Sequence, residues 1–295
     1  MSKQRQILFL NQSSGYLMID IVNAYGRQYE KRILLAGLLN PRNTPLDEDV
    51  KVRKIIAYDR SSTLKRLFTW GWGFLQALFW IKWKYQNAHL FLVSNPPIGP
   101  LIPLLCRNPY TLLIYDVFPD ALVEYKIFRP DSPLIRWWER ANRRVYAQAE
   151  QVFTLSDGMK GLMSKYLPGH KIKVVPVWTD NRFFQPIAKA DNPFLREQGL
   201  EDKFVVLYSG NLGRSHDLQV LVDLAQQMAG DPDIFFLIIG GGDQYESLKQ
   251  RIAERDVSNI RLLPWQPTEK LPHTLAAADI GVVSLGKEAA MLSLP

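Results

Sequence analysis

The sequence of 295 residues contains a single cysteine, Cys106, and only four histidines. The histidines lie far apart in the chain, at His89, His170, His216 and His273. One cysteine excludes a disulfide framework and is typical of a reducing compartment, so we expect a cytoplasmic location. The histidines have no spacing suited to a shared ion, and we therefore predict no metal site. The GxSxG signature of serine hydrolases is also absent from the sequence.

Long apolar runs are missing as well, and the segment that comes nearest to one is residues 67–83. Its tryptophans and the cations at its two ends are Trp70, Trp72, Trp80, Trp83, Lys65, Arg66, Lys82 and Lys84. The run is shorter than the roughly 20 apolar residues that a membrane span needs, and Gly71 and Gly73 weaken it as a helix. Two interpretations stay open. The favoured one is a helix buried beneath a sheet; the other is a helix in a membrane interface, where tryptophans with flanking cations are typical.

Charge is divided unevenly along the chain. Residues 1–182 hold 26 Lys and Arg against 14 Asp and Glu, a net charge of +12, whereas residues 183–295 hold 10 against 15, a net charge of −5. The basic half suits an anionic surface or a phosphorylated acceptor, although scattered solvated cations would give the same balance. It contains no recognised nucleic-acid-binding module, so we predict no nucleic-acid partner.

Strand-like and helix-like segments alternate along the whole chain, which favours an α/β fold built from βα units. Apolar runs without alternation predict strands buried on both faces, as in a parallel sheet covered by helices. The predicted strands are 7–10, 31–36, 52–57, 89–93, 111–115, 151–154, 172–175, 204–208, 234–239, 260–263 and 280–284. The main predicted helices of the first half are 18–27, 63–85, 134–149 and 157–166. We predict domains at 1–182 and 203–295, joined by a polar connector at 183–202.

Two strands of the second half run directly into glycine-rich loops. The strand 204–208 is followed by SGNLGR, and the strand 234–239 is followed by GGGD. In parallel sheets, ligands bind at the carboxyl ends of strands, where glycines let the backbone approach and helix N-termini attract phosphate. The second loop is not a dinucleotide fingerprint, because the third glycine of GxGxxG would fall at Tyr245. The pattern predicts a nucleotide-type ligand, with candidate binding residues Gly210, Asn211, Gly213, Gly240, Gly241 and Gly242.

Several segments together resemble the GT-B glycosyltransferases of retaining family 4, in its bacterial polysaccharide branch. They are residues 94–98 (SNPPI), 115–120 (YDVFPD), 175–184 (VPVWTDNRFF), 208–214 (YSGNLGR) and 238–243 (IIGGGD). The resemblance implies two Rossmann-like domains, of which the first holds an acceptor and the second a nucleotide-diphosphate sugar. It further implies a retaining sugar transfer to a polysaccharide or lipid-linked acceptor without a cofactor, by a protein that is cytoplasmic or peripheral to the inner face of the plasma membrane.

The resemblance also implies roles for residues of the first half. Asp116 follows a predicted strand and corresponds to the cleft position near the acceptor hydroxyl, where a carboxylate could accept a proton or hold the sugar. The alternative is that Asp116 caps the next turn, and for Asp120, the second acceptor-side candidate, capping is favoured. Ser14 and Gly15 follow the first strand, in a loop that contributes to the cleft of the family; alone they are an N-cap signal.

On the donor side the resemblance assigns Arg214 to the diphosphate, where a fixed guanidinium stabilises the charge of the leaving group. His216 stands roughly where many relatives have a lysine, which puts the second phosphate contact in doubt. Glu288 lies near the acidic loop of the family, whose second glutamate would come eight positions later, beyond Pro295. We therefore expect a C-terminally truncated enzyme with an incomplete second domain that does not itself transfer sugar. A naturally short form is the alternative.

Two other functional classes remain open from the sequence. A sugar-nucleotide epimerase can share the GT-B plan, but it would need bases on both faces of the sugar, and no second base is identifiable. The second alternative is a non-catalytic binding module of glycosyltransferase type, for which the missing acidic pair is the best support.

Overall fold

A computed structural model describes residues 5–41, 44–59, 61–124, 126–213 and 216–286. The chain divides into two compact units, of which the first ends at Trp178 and the second begins at Thr179. Within the described ranges, no helix has the length and hydropathy that crossing a membrane would require.

The first unit is a seven-stranded sheet in which every pairing between neighbours is parallel. Its strands are β1 (Gln6–Leu10), β3 (Lys31–Ala36), β5 (Lys51–Lys54), β6 (His89–Val93), β7 (Tyr110–Ile114), β8 (Gln151–Thr154) and β9 (Ile172–Val174). They lie in the order β5-β3-β1-β6-β7-β8-β9. Two short strands, β2 (Ser13–Ser14) and β4 (Leu38–Leu39), pair in parallel as a separate ribbon.

Helices lie between these strands in the chain: α1 (Tyr16–Ala24), α2 (Thr63–Lys84), α3 (Asp120–Glu124), α4 (Pro133–Gln148) and α5 (Asp157–Met163), with short 3₁₀ turns at Tyr25–Arg27, Gly99–Leu104 and Gly169–Lys171. Strand β1 shows why the core forms. Its residues Ile7, Leu8, Phe9 and Leu10 are all fully buried. Because successive side chains of a strand point to opposite faces, both faces of the sheet must be covered.

The second unit has four parallel strands in the order β12-β11-β10-β13. Its elements are α6 (Pro193–Gln198), β10 (Phe204–Asn211), α7 (Gln219–Gln227), β11 (Ile234–Gly241), α8 (Tyr245–Glu254), β12 (Ile260–Leu263), α9 (Leu271–Leu275) and β13 (Ile280–Gly281), with 3₁₀ turns at Lys189–Asp191 and Thr268–Lys270. Val205 and Leu207 of β10 belong to one apolar cluster and Tyr208 to another, so this sheet also has two covered faces. The predicted α/β class with parallel sheets is confirmed.

Some predicted elements have different limits in the structure. Strand β5 ends at Lys54 rather than at 57, and β13 pairs over two residues rather than the five predicted for 280–284. The segment 183–202 is not a plain connector along its whole length. It includes α6, whose Phe194 and Leu195 are buried in the core of the second unit beside Val205. Its polar composition conceals the two apolar residues that anchor it.

Helix α2 was expected to be weakened by its glycines, yet it is continuous from Thr63 to Lys84. Gly73 has a packing reason, since a Cβ there would lie 2.8 Å from the side-chain nitrogen of Gln12. The favoured interpretation of a buried helix is wrong for half of the surface of α2. One face is buried against the first unit, but the opposite face is exposed and apolar.

Candidate functional site

Asp116 lies directly after β7, at the carboxyl end of a central strand of the first sheet. Its position is fixed by Ser94, which follows the neighbouring strand β6 and is buried. The Oγ atom of Ser94 accepts hydrogen bonds from the backbone nitrogens of Tyr115 at 2.9 Å and of Asp116 at 3.1 Å. The two segments that resemble the acceptor side of family 4 thus meet through one serine hydroxyl.

The surroundings of Asp116 are apolar enough to change its acidity. Burial raises the pKa of the Asp116 carboxyl above its ordinary value, because desolvation disfavours the charged form. The turn that follows is closed by the backbone, with the nitrogen of Phe118 donating to the carbonyl oxygen of Asp116 at 3.1 Å. The side chain is therefore not required to hold this turn, and a carboxyl with a raised pKa can exchange protons or bind hydroxyls.

Asp120 is held in a different way, although it is close in sequence. It begins α3 and accepts a hydrogen bond from the hydroxyl of Tyr166 at 2.5 Å, while its other oxygen pairs with Lys165. Burial, and then the hydrogen bond to Asp120, raise the pKa of Tyr166. These contacts tie α3 to the segment after α5, so they account for Asp120 as a structural group.

Ser14 lies in β2, shortly after β1, and Gly15 follows it, but Ser14 does not form the predicted N-cap. The Oγ atom of Ser14 donates to the carbonyl oxygen of Asn11 at 2.9 Å, and α1 is capped by Gly15 without a side-chain hydrogen bond. Sequence reasoning missed Gln12 beside them. Gln12 is fully buried, and its nitrogen donates to the carbonyl oxygens of Thr69 at 2.8 Å and of Ile56 at 3.1 Å.

In the second unit, the two glycine loops leave adjacent strands at the same level. Gly210 is aligned with Gly240 and Asn211 with Gly241 in the β10–β11 pair. A Cβ on Gly240 would collide with the carbonyl oxygen of Gly210. Gly242 has a φ of +146°, and a Cβ there would lie 2.8 Å from the side-chain oxygen of Asn211. Glycine is therefore required at both positions by the close approach of the two loops.

Hydrogen bonds lock the same two loops together. The nitrogen of Leu212 donates to the carbonyl oxygen of Gly241 at 3.0 Å, and the nitrogen of Gln244 donates to the carbonyl oxygen of Leu212 at 2.9 Å. The side-chain nitrogen of Gln244 also donates to the carbonyl oxygens of Gly213 at 2.5 Å and of His216 at 2.9 Å. Backbone and one amide side chain thus fix the shape of the loop that contains Gly213.

His216 is half-buried and belongs to this network. Its Nδ1 atom lies 2.9 Å from the carbonyl oxygen of Ser284 and 3.1 Å from the hydroxyl of Tyr208. A carbonyl oxygen can only accept, so Nδ1 carries the proton and Nε2 is the ring nitrogen left for a ligand. The arrangement connects β10 and the segment after β13 through one imidazole.

Trp265, which lies beside the second glycine loop, was not identified from the sequence. It follows β12 and is 59% exposed, yet its Nε1 atom is so close to Gly241 that a Cβ there would lie 2.8 Å from it. Only the sheet order, which sets β12 beside β11, brings the indole to the glycine loop. The remaining predicted donor residues, Arg214 and Glu288, lie outside the described residues.

The described part of the chain contains no group of three or more histidine, cysteine or acidic side chains placed to hold a metal ion. The site residues that the structure describes therefore form two sets. Asp116 and Ser94 belong to the first unit. The glycine loops, with His216 and Trp265, belong to the second.

Comparison with known families and proteins gives consistent results. Residues 191–294 match the family described as "Glycosyl transferases group 1". Over 293 residues the chain is 25% identical to WbjE of Pseudomonas aeruginosa, named a probable glycosyltransferase, and the match covers 96% of this chain and 73% of WbjE. It is 30% identical over 149 residues to WcaI of Escherichia coli K12, whose name describes a candidate colanic acid biosynthesis glycosyl transferase. That match covers 50% of this chain and 36% of WcaI.

Solved structures share the architecture. HepE of Anabaena, crystallised with UDP and glucose, superposes with a TM-score of 0.63 at 17% identity, covering 94% of this chain and 73% of HepE. Sucrose-phosphate synthase of Thermosynechococcus elongatus superposes with a TM-score of 0.66 at 14% identity, covering 97% and 78%. At these identities the likeness shows the fold, GT-B, in which each of the two units is a Rossmann-like domain.

Proposed function

We propose that this chain, whose residues 191–294 match the family described as "Glycosyl transferases group 1", is a retaining glycosyltransferase that uses a nucleotide-diphosphate sugar. The proposed acceptor is a polysaccharide or a lipid-linked saccharide. The name of WcaI, which refers to colanic acid biosynthesis, supports the acceptor class. The ligands of the HepE crystals, UDP and glucose, support the donor class.

The observation that carries the donor assignment is the pair of glycine loops. Gly240 and Gly242 let the two loops approach so closely that any side chain there would collide, and the backbone of both loops is fixed by the hydrogen bonds of Leu212 and Gln244. Backbone N–H groups held rigidly at a strand end, ahead of a helix, suit a diphosphate. They need no reorganisation when the leaving group gains charge, which is the basis of electrostatic stabilisation.

His216 adds a side-chain donor to that backbone. With Nδ1 donating to the carbonyl oxygen of Ser284, Nε2 is the ring nitrogen left for a phosphate oxygen. We propose that this imidazole takes the place of the lysine found in many relatives. The exposed indole of Trp265 offers a flat apolar surface for a base or sugar beside the same loop.

In the first unit, Asp116 is proposed to bind a hydroxyl of the acceptor or of the transferred sugar. Ser94 positions Asp116 by accepting hydrogen bonds from the backbone nitrogens of Tyr115 and Asp116. Since burial raises the pKa of Asp116, the carboxylate is a stronger proton acceptor than an exposed aspartate.

The test compares Asp116→Asn with the unsubstituted protein, both produced from the coding sequence extended beyond Pro295, using UDP- and GDP-sugars and an extract of lipid-linked saccharides. We expect turnover to fall by about 10²- to 10⁴-fold, the range for loss of a proton-transferring group, and NMR to show a product that retains the anomeric configuration. Because the pKa of Asp116 is raised, wild-type kcat/KM should increase as the pH rises through that pKa, and this limb should vanish in Asp116→Asn. Activity should survive EDTA.

Asp116→Asn should lower turnover without lowering the stability of the fold. A carboxyl whose pKa is raised in the folded state opposes folding at pH values where the unfolded state is ionised. Asp116→Asn should therefore leave the melting temperature at pH 7 unchanged or raise it. Asp202→Asn, on an exposed side chain of the second unit, is the control. Unchanged turnover in Asp116→Asn would contradict the role of Asp116, and an inverted product would contradict the retaining assignment.

A further inference from the structure

The outer face of α2 carries a continuous stripe of large apolar side chains. The stripe consists of Leu64, Phe68, Trp72, Leu75, Phe79 and Trp83, and each of these residues is between 48% and 80% exposed. Their spacing of three or four residues places them on one side of a helix. At 1.5 Å per residue the stripe is about 28 Å long. A monomeric protein rarely exposes a contiguous apolar surface of this extent without a partner for it.

This exposure is not the result of a loosely packed helix. On the opposite face Thr69, Gly73, Ala77 and Ile81 are buried against the first unit at intervals of four residues. The helix begins at a capped N-terminus, where the Oγ atom of Ser62 accepts from the nitrogen of Lys65. One face of α2 is therefore packed against the rest of the first unit, and the other face is left exposed.

The aromatic side chains of the stripe are ordered among themselves. Phe68 stacks on Trp72 with ring centroids 6.4 Å apart, and Phe79 packs edge-on against Trp83 at 4.9 Å. Near the C-terminal end the stripe borders a shallow groove of about 490 Å³, lined by Leu75, Leu78, Phe79, Lys82 and Trp83. An apolar groove with an ammonium group at its rim is complementary to an anionic amphiphile, which has an apolar chain and a negatively charged headgroup.

The charged residues of helix α2 itself all have one sign, and of these Lys65 lies 3.9 Å from the carboxylate of Asp59, which precedes the helix. Helix α2 contains no acidic residue, while Lys65 and Arg66 lie near its beginning and Lys82 and Lys84 near its end. Residues 1–182 carry a net charge of +12. Lysines at both ends of an apolar stripe can extend their ammonium groups past the buried stems, as in interfacial helices. Tryptophan is likewise enriched at the level of lipid headgroups.

We propose that the exposed face of α2 docks on a bilayer that contains anionic lipid, with the helix axis parallel to the membrane surface. The apolar stripe enters the boundary between headgroups and acyl chains, and the lysines bind lipid phosphates. Charge complementarity favours lipid over a second copy of this chain, because two copies would bring the same cations together. Because its opposite face is packed against the first unit, the helix stays at the membrane surface and does not insert further into the bilayer.

The experiment is co-sedimentation of the full chain with vesicles of phosphatidylcholine alone or with about one third phosphatidylglycerol. Binding should require the anionic lipid and weaken as salt rises, because exposed charges are screened beyond about 8 Å at physiological ionic strength. The triple variant Trp72→Gln, Phe79→Gln and Trp83→Gln should lower the partition coefficient at least tenfold. Lys82→Glu with Lys84→Glu should also lower it on the anionic vesicles.

Trp137→Gln is the matched control, since Trp137 is a helical tryptophan of the same unit that is 52% exposed but lies on α4. It should bind as the wild type does. An equal loss in Trp137→Gln would overturn the proposal by showing that any exposed aromatic side chain serves. Equal binding to neutral and anionic vesicles would overturn the charge assignment. Sedimentation velocity tests the rival occupant: self-association that the triple variant abolishes, without vesicle binding, would assign the face to a second copy.

Discussion

The two units hold their candidate residues by different means. In the first unit Asp116 depends on the hydroxyl of a buried side chain, Ser94, which comes from another part of the chain. In the second unit the shape of the loops depends on the absence of side chains at Gly240 and Gly242. The first arrangement can lose function while the fold survives. The second loses its geometry as soon as one carbon atom is added.

The sharpest way to break this comparison is Gly240→Ala, for which we expect the largest effect on stability. The added Cβ would collide with the carbonyl oxygen of Gly210, so the strands must separate or the loop must shift. Overpacking of this kind costs about 1–3 kcal/mol, and donor binding should fall with it. Urea unfolding and titration calorimetry with UDP measure the two effects.

Gly230→Ala provides the control, because a Cβ there meets nothing within 4 Å. Its stability should change by no more than about 0.5 kcal/mol. If both alanine variants were equally stable and bound UDP equally, the second unit would not depend on its glycines as argued.

The corresponding substitution in the first unit is Ser94→Ala. It leaves the buried nitrogens of Tyr115 and Asp116 without their acceptor, which should cost about 1–2 kcal/mol. Turnover should fall about tenfold, with the KM for the donor unchanged. Ser156→Ala removes the cap of α5 at a similar cost of about 1 kcal/mol and should not change turnover. A similar loss of turnover in both variants would mean that stability, rather than the position of Asp116, explains the effect.

The smallest effect concerns Asp279, a side chain that secures the second unit. Burial acts to raise its pKa, but hydrogen bonds from Lys189 at 2.6 Å and from the nitrogen of Val205 at 2.7 Å outweigh it, so the pKa is lowered. A lowered pKa contributes stability above the pKa of the unfolded state, about 3.9, which is lost as the pH falls through the folded value. Asp279→Asn should cost about 1 kcal/mol at pH 7.

Urea unfolding of Asp279→Asn and wild type between pH 7 and pH 2 tests this dependence, with Asp202→Asn as the control. The difference between wild type and Asp279→Asn should shrink on acidification. A difference that stays constant over the whole range would show that charge at Asp279 has no part in it.

The sequence was sufficient for the features that depend on local pattern. The strands at 31–36, 89–93, 151–154 and 260–263 agree with the structure residue for residue, because uninterrupted apolar runs between turns have few alternatives. The alignment of the two glycine loops also followed from the pattern, since the carboxyl ends of neighbouring parallel strands lie on one edge. The assignments of the site residues to substrate remain predictions.

Other features depend on contacts between distant parts of the chain, and local patterns do not contain them. Ser94 and Asp116 are 22 positions apart and meet only because β6 and β7 are neighbours. Gln12 explains Gly73, but it is 57 positions from its partner Thr69. Helix α2 was ambiguous because it is apolar on both faces, so no hydrophobic periodicity distinguishes the packed face from the exposed one.

The contact between Gly73 and Gln12 also makes α2 a spacer between the proposed membrane surface and the loop that follows β1. Gln12 lies between β1 and the serines of β2, Ser13 and Ser14, and Gly73 lets the helix lie directly against it. With the outer face of α2 resting on lipid, only the thickness of one helix, about 10 Å, separates these serines from the bilayer. On the proposed docking geometry, the proposed lipid-linked acceptor would lie close to these serines.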